Sequence, residues 1–195
     1  MTTPTLRSER LLLDPVTRAD AEAVLESCGD PDLQHWVPVP APYSRADAEF
    51  FTTQYATDAA TSPTFSLWAI RLNDGLGEAT RYNPLVGAIE LRFEPLLSGT
   101  VGYWLGAPHR GRGLMTEAVG ALVEHAFDER GFGLRRIHWQ ARVGNGASAT
   151  VARRNGFRFE GTSRAALVHG AIRVDSWEAS LLRDDPREPT DGWPQ

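Results

Sequence analysis

The chain has 195 residues, a formal net charge of −5, and 42% hydrophobic and 23% charged side chains. That length suits one domain, able to bury about 70% of the surface of its unfolded chain. The acidic balance argues against general nucleic-acid binding and favours cationic partners.

Residues 1–10, "MTTPTLRSER", hold no apolar h-region, so no signal peptide is read. No apolar run reaches the ~18 residues of a membrane span. "RLLLDPV" (10–16) reads as a strand ended by Pro15, and "TRADAEAVLESCGD" (17–30) as a helix capped by Thr17. In that helix Ala21, Val24, Leu25 and Cys28 fall at helical spacing. Cys28 is the only cysteine, which excludes a disulfide framework and points to the cytoplasm. With no partner signposted, its thiol reads as a small core group rather than a nucleophile. Prolines 31, 38, 40 and 42 argue against regular structure across "PDLQHWVPVPAPYS" (31–44). Ser44 then caps a second helix, "RADAEFFTTQYATDA" (45–59).

"TFSLWAIRL" (64–72), "PLVGAIELRFE" (84–94) and "GTVGYWLG" (99–106) read as strands, with "NDGLGEATRYN" (73–83) long for a hairpin loop. "GLMTEAVGALVEHAFDERG" (113–131) is the strongest helix, with Met115, Val119, Leu122 and Ala126 on one face and Gly131 as its stop. A strand at 134–143 and a helix at 145–156, capped by Asn145, follow. Two last strands flank a His169-Gly170 turn. There are no internal repeats. The expected fold is a mixed α/β (α+β) domain over residues 1–183, with a mobile tail at 184–195.

"HRGRGLMTEA" (109–118) carries the chemistry. A helix N terminus presents unpaired N–H groups and partial positive charge, and phosphate binds there. Glycines let a ligand approach the backbone, and arginines add cationic donors. Strand 99–106, loop 107–112 and helix 113–130 together resemble a phosphate cradle, although a glycine-rich connecting turn would look similar. A P-loop needs a lysine, and all 20 basic side chains are arginine. A dinucleotide fingerprint needs glycine at Thr116 and an acid after the next strand, where Gln140, Ala141 and Arg142 stand. The five histidines, at 35, 109, 125, 138 and 169, show no metal-ligand spacing.

Arg110-Gly111-Arg112-Gly113-Leu114-Met115 resembles the pyrophosphate motif of the Gcn5-related N-acetyltransferases (GNAT), departing from it at Met115. "GYWLGAPHRGRGLMTEAV" and "VGNGASATVARRNGFRFEG" resemble the branch that includes the ribosomal-protein N-terminal acetyltransferases, as do "RLLLDPVTRADAEAV" and "HGAIRVDSWEASLLRDD". The resemblance spans roughly residues 6–185.

It implies a mostly antiparallel sheet of six to seven strands with helices on both faces. A central parallel pair, 99–106 and 134–142, would splay to admit acetyl-CoA. It implies that backbone near Trp104, Leu105 and Gly106 holds pantetheine and that N–H groups of Arg110, Gly111, Arg112, Gly113 and Leu114, beside Met115, take the pyrophosphate. Asn145 and Ser148 would lie near the sulfur, with Ser148 protonating the leaving thiolate. No metal is implied. Some relatives carry a glutamate after the Asn-Gly-Phe element; "GTSRAALVHGA" has none, and Glu90 is the first candidate base. Glu160 and His138 are alternatives, and Glu117 reads as an acid favoured by the helix dipole. Without a strong base, an α-amine, with a pKa of about 7.7–8.0, suits this site better than a lysine at about 10.4. The acceptor is expected to be a protein N terminus or a small-molecule amine, held by His35, Trp36, Tyr43, Phe50 and Phe51. A homodimer, a CoA sensor without transfer, and a longer donor such as succinyl-CoA read by Arg92 or Arg142 are the further readings.

Overall fold

The computed structural model describes residues 3–73 and 83–194; nearly all of the segment 73–83 read as a loop lies outside them. Its strands are β1 (Leu6–Arg7), β2 (Leu11–Pro15), β3 (Phe65–Leu72), β4 (Leu85–Glu94), β5 (Ser98–Leu105), β6 (Arg136–Arg142), β7 (Arg158–His169) and β8 (Ile172–Leu182). They form one sheet in the order β1-β2-β3-β4-β5-β6-β8-β7, with eight strands among the described residues. Only β5 and β6 run parallel; every other neighbouring pair is antiparallel. The strand beyond the expected six to seven is β1, whose two residues are too few to show a period.

Side chains alternate across a strand, and this sorts the helices. Along β3, Trp68 and Ile70 enter one apolar cluster with residues of α5 (Leu114–Phe127) and α6 (Gly146–Arg154). Phe65, Leu67 and Ala69 enter a second cluster with α1 (Ala21–Cys28), α2 (Pro31–Trp36), α3 (Arg45–Phe50) and α4 (Ala56–Thr61). The pairing of β3 with β4 slips between Ile70 and Arg71, leaving Val86 as an extra residue. Such a bulge changes which face the following side chains take. Beyond it Ile89 and Leu91 join the α5 cluster, and Ala88 faces the α1–α4 side. Glu90 and Arg92 follow on that second side.

The helices differ from expectation in instructive ways. The prolines do not forbid structure at 31–44: Pro31 opens α2, where its missing N–H costs nothing, and Asp30 caps it. The helix expected over 17–30 is divided into a 3₁₀ turn, Arg18–Asp20, and α1. The second helix runs on to Thr61, with a π-helical stretch at Phe51–Tyr55 between α3 and α4. The strong helix stops at Phe127 rather than Gly131. The C-terminal tail, expected to be mobile, packs on the sheet. Trp193 lies 5.4 Å from the Trp139 ring and 5.6 Å from Phe159, and Thr190 donates to the Phe157 carbonyl. A single tryptophan supplies the apolar contact that the polar composition of the tail conceals.

On the α1 side, Arg71 is buried and clamps the start of the chain. Its Nε lies 2.7 Å from Asp14 and its Nη1 2.7 Å from Asp20, and Nη1 also donates to the Asn83 carbonyl. Arg71→Met removes the cation that both buried carboxylates share. It should lower the unfolding free energy by about 3–5 kcal/mol, which urea denaturation followed by circular dichroism will measure.

Candidate active site

β5 and β6 pair only from Ser98–Arg136 to Val101–Trp139. Past that point β5 stays paired with β4 as far as Leu105, and β6 with β8 as far as Arg142. The parallel pair therefore opens as a wedge while each strand is held from its outer side. Side chains bridge the opening in place of the ladder. Ser148, in the first turn of α6, accepts from the Trp139 indole at 3.1 Å and donates to the Tyr103 hydroxyl at 3.1 Å. Tyr103 in turn donates to the Ser148 carbonyl at 3.0 Å. Burial pushes the Tyr103 phenol well above its usual range, so it stays protonated. Asn145 caps α6 by accepting from the Ser148 N–H at 3.1 Å.

The wedge continues into a cleft of about 920 Å³ that ends at the glycine-arginine turn. Gly111 and Gly113 sit at φ 72° and 75°. No Cβ clash enforces glycine at either position; the left-handed backbone does. Gly113 is the N-cap of α5, whose first N–H groups have no partner within the helix. Arg10 braces this turn from below: Nη1 donates to the Arg112 carbonyl at 3.1 Å, and Nε lies 2.6 Å from Glu117. Glu117, expected to serve the helix dipole, ties the N-terminal segment to α5. Burial pushes its carboxyl up, but Ser8 and Arg10 outweigh that and hold it below the usual range. Arg110 is not turned loose toward an anion. It donates to the Leu105 carbonyl and pairs with Asp30 at 2.7 Å and Asp32 at 3.1 Å.

Of the residues expected at the cofactor, Trp104, Leu105, Arg110, Gly111, Gly113, Leu114, Met115, Asn145 and Ser148 line the cleft. Gly106 lies behind it, where a Cβ would stand 2.8 Å from the Ser27 hydroxyl. Arg112 is exposed beside the turn.

Trp36, Tyr43, Phe50 and Phe51, read from the sequence as acceptor residues, line the cleft. His35 does not; its ring meets Trp36 edge-on at 4.5 Å, and its carbonyl accepts from Arg142. Tyr43 is hydrogen-bonded to Cys28, whose thiol burial pushes up to about 12.

Glu90 stands on the cleft floor, its side chain 18% exposed. It accepts from the Tyr55 hydroxyl, and Arg92 Nε lies 2.6 Å away. Arg92 also donates to the Tyr55 oxygen at 2.6 Å. Burial raises the Glu90 carboxyl above its usual range and prevails over Tyr55 and Arg92, which lower it. Tyr55 ends the π-helical stretch, which widens the turn; such stretches frequently occur at functional sites. Tyr55 has no sequence signature, because its partner lies 35 residues away. The other acids and bases are engaged elsewhere: His138 with Glu178 at 2.7 Å, and Glu160 with Arg136 at 3.0 Å. Among the described residues, no group of three or more His, Cys, Asp or Glu is placed to hold a metal, and no helix is long and apolar enough to cross a membrane.

A mixed sheet whose parallel pair splays toward a glycine-arginine helix start defines an N-acetyltransferase fold. The chain belongs to the acetyltransferase (GNAT) domain family, whose family model matches residues 10–158. It is 42% identical over 84 residues to the ribosomal-protein-serine acetyltransferase of Escherichia coli (strain K12), a match covering 42% of this chain and 46% of that enzyme. The chain spans about half the length of the curated relatives it matches. A GNAT-family acetyltransferase from Bacillus anthracis shares the fold with a TM-score of 0.78 at 22% identity, covering 93% of this chain and 100% of that one. The ribosomal L7/L12 α-N-protein acetyltransferase RimL, in complex with coenzyme A, shares it with a TM-score of 0.75 at 23% identity, covering 92% and 98%.

The Arg10 brace can be tested without any ligand. Arg10→Gln should cost the turn about 1 kcal/mol, making amide exchange at residues 112–116 roughly fivefold faster; hydrogen–deuterium exchange read by mass spectrometry checks this.

Proposed function

We propose that the protein transfers an acetyl group from acetyl-CoA to the amino group of an acceptor by direct attack within a ternary complex. The observation that carries this reading is the wedge between β5 and β6, which ends at the start of α5 and has Ser148 held at its apex. Hydroxyl, strand edge and helix start all line one cleft, as an extended thioester with a diphosphate tail requires. Backbone of Trp104 and Leu105, which line the cleft, would pair with pantetheine, whereas Gly106 gives its N–H to the Val86 carbonyl. The N–H groups from Arg110 to Leu114 would take the diphosphate, where helix N termini favour anions.

For transfer, a neutral amine attacks the thioester carbonyl carbon, the C–S bond breaks, and the thiolate takes a proton. A backbone N–H from the open edge of β5 is the donor best preorganised for the oxyanion. Ser148 is the proton donor to sulfur. Its hydroxyl has one proton, directed at Tyr103; as that proton passes to the thiolate, the serine oxygen takes one from solvent water, so that the hydroxyl is restored. Glu90 is the base that receives the amine proton, through water. Gly102, opposite Glu90 in the register, has open space where a side chain would stand, room for such a water.

The acceptor is an amine of modest basicity, with a protein N-terminal α-amine first and a small-molecule amine of similar pKa second. An α-amine is substantially neutral near pH 7.5 and asks little of its base. The E. coli relative, named as acting on a ribosomal protein, supports a protein acceptor. Acetyl is favoured over a longer, charged acyl group because Arg92 already serves Glu90 and Tyr55, and Arg142 already serves the His35 carbonyl over the Trp36 ring.

Acetyl-CoA at one hundred times its Kd should stabilise the fold by about 2.7 kcal/mol, and ATP or NAD should not; a thermal-shift titration reads both. With an amine found active in a panel of peptides and small amines, Ser148→Ala and Glu90→Gln should each lower kcat by about a hundredfold. The base works only when deprotonated, so the rate, divided by the neutral fraction of the acceptor amine at each pH, is retained above the Glu90 pKa and lost as pH falls through it. The acid limb should therefore lie above the ordinary carboxylate value of about 4.3. Tyr55→Phe removes a bond that lowers that pKa, so it should move the limb higher still. Preference for lysine ε-amines over α-amines would overturn the acceptor assignment.

A further inference from the structure

The helix α2 lies across the mouth of the wedge and is fastened at both ends by arginines from opposite lips. At its start, Arg110, from the turn that follows β5, reaches Asp30 at 2.7 Å and Asp32 at 3.1 Å. At its end, Arg142, the last residue of β6, donates to the His35 carbonyl at 3.2 Å and lies 5.9 Å over the Trp36 ring. Trp36 also approaches Gly144, in the connection after β6, where a Cβ would stand 3.6 Å from its ring. Leu33, between the two fastenings, and Trp36, at the second, line the cleft. The helix has only six residues, too few to hold its own shape. Its position therefore depends on these contacts.

We propose that Arg110 is a positioning residue shared between two anions. Asp30 and Asp32 hold its guanidinium against α2, and the diphosphate of acyl-CoA competes with them for it, so that binding of the donor reaches the acceptor wall through α2. This rests on the proposed assignment of the 110–114 turn to the diphosphate. The contest follows from charge. Asp30 is 22% exposed and Arg110 33%, so their pairing is partly shielded from solvent, whereas Asp32 is 71% exposed. A diphosphate arriving at this turn is attracted by Arg110 and repelled by the two carboxylates already beside it. Donor binding is thus weakened by the same residues that hold α2 in place. Two ligand sites that bias one element are reciprocally coupled: whatever donor binding does to α2, the state of α2 does to donor affinity.

The geometry also supplies a variant that leaves the helix intact. Asp30 caps α2 by accepting from the Asp32 N–H at 3.0 Å, and asparagine caps as well as aspartate does. Asp30→Asn/Asp32→Asn therefore removes the charge and keeps the cap. Asp32→Asn alone touches only an exposed side chain.

The experiment is isothermal titration of the full chain with acetyl-CoA, together with hydrogen–deuterium exchange of residues 31–37. The double variant should bind acetyl-CoA about fivefold more tightly than the wild type, in the usual range of such couplings, and Asp32→Asn should fall between them. Arg110→Gln should bind it more weakly. Adding acetyl-CoA to the wild type should speed exchange in α2 toward the rate of the double variant, whose own rate should barely change. If the wild type binds acetyl-CoA but the aspartate variants bind it equally or less tightly, or α2 exchange does not respond, the inference is wrong and the transferase reading stands. If acetyl-CoA binds none of the four proteins, the assignment of the turn falls, and the inference with it.

Discussion

The ladder between β5 and β6 ends after four residue pairs, and the rest of the molecule is arranged around that interruption. Backbone groups on the open edges lose their partners, a cost that folded proteins rarely accept. The strands do not collapse together because each is held by an antiparallel neighbour, β4 on one side and β8 on the other. They do not drift apart because Tyr103 and Trp139, one on each strand, both bond to Ser148. One serine hydroxyl thus sets the width of the wedge at its apex. The same hydroxyl is the proposed proton donor, so structural and chemical roles compete for a single proton.

The two faces of the sheet divide the work. The face carrying α5 and α6 builds the larger apolar cluster, and the starts of both helices come to the wedge. The other face carries the short helices α1–α4 over a smaller cluster, and its aromatic side chains form the far wall. Glu90 reaches that wall through two local irregularities. The extra residue in β4 changes the alternation ahead of it, and the π-helical stretch changes the phase of the helix that carries Tyr55. Either irregularity alone would turn one partner of the Tyr55–Glu90–Arg92 cluster away from the others.

These irregularities also mark what could be read from the sequence. The glycines at 111 and 113, the Asn145 cap and the strong periodicity of α5 are local features, each decided by residues within one turn, and they stand where the sequence pattern puts them. The splay of 99–106 against 134–142 followed from family resemblance and is present. Tyr55 was not legible because a helical period of 3.6 carries no sign of where the helix widens. Trp193 is hidden in a polar, proline-bearing tail, and Pro31 looks like a breaker although the one cap residue before it, Asp30, makes it a helix start. Arg110 shows the limit most clearly. Its type and position suited a phosphate ligand, but the acids that hold it stand 80 and 78 residues away, and no local pattern links them.

Four arginines around the cleft share one feature. Arg10 serves Glu117 and the Arg112 carbonyl, Arg92 serves Glu90 and Tyr55, Arg110 serves Asp30 and Asp32, and Arg142 serves the His35 carbonyl. In a chain of net charge −5, these cations are used to fix the walls of the site. The proposed polyanionic donor can draw on the oriented N–H groups at the start of α5, on the glycines that expose them, and on Arg154, which also lines the cleft. Backbone donors cannot move to follow a ligand, so they favour one path along the wedge. The arginines keep the surrounding elements in register with that path, and Arg110 stands where it can do either job.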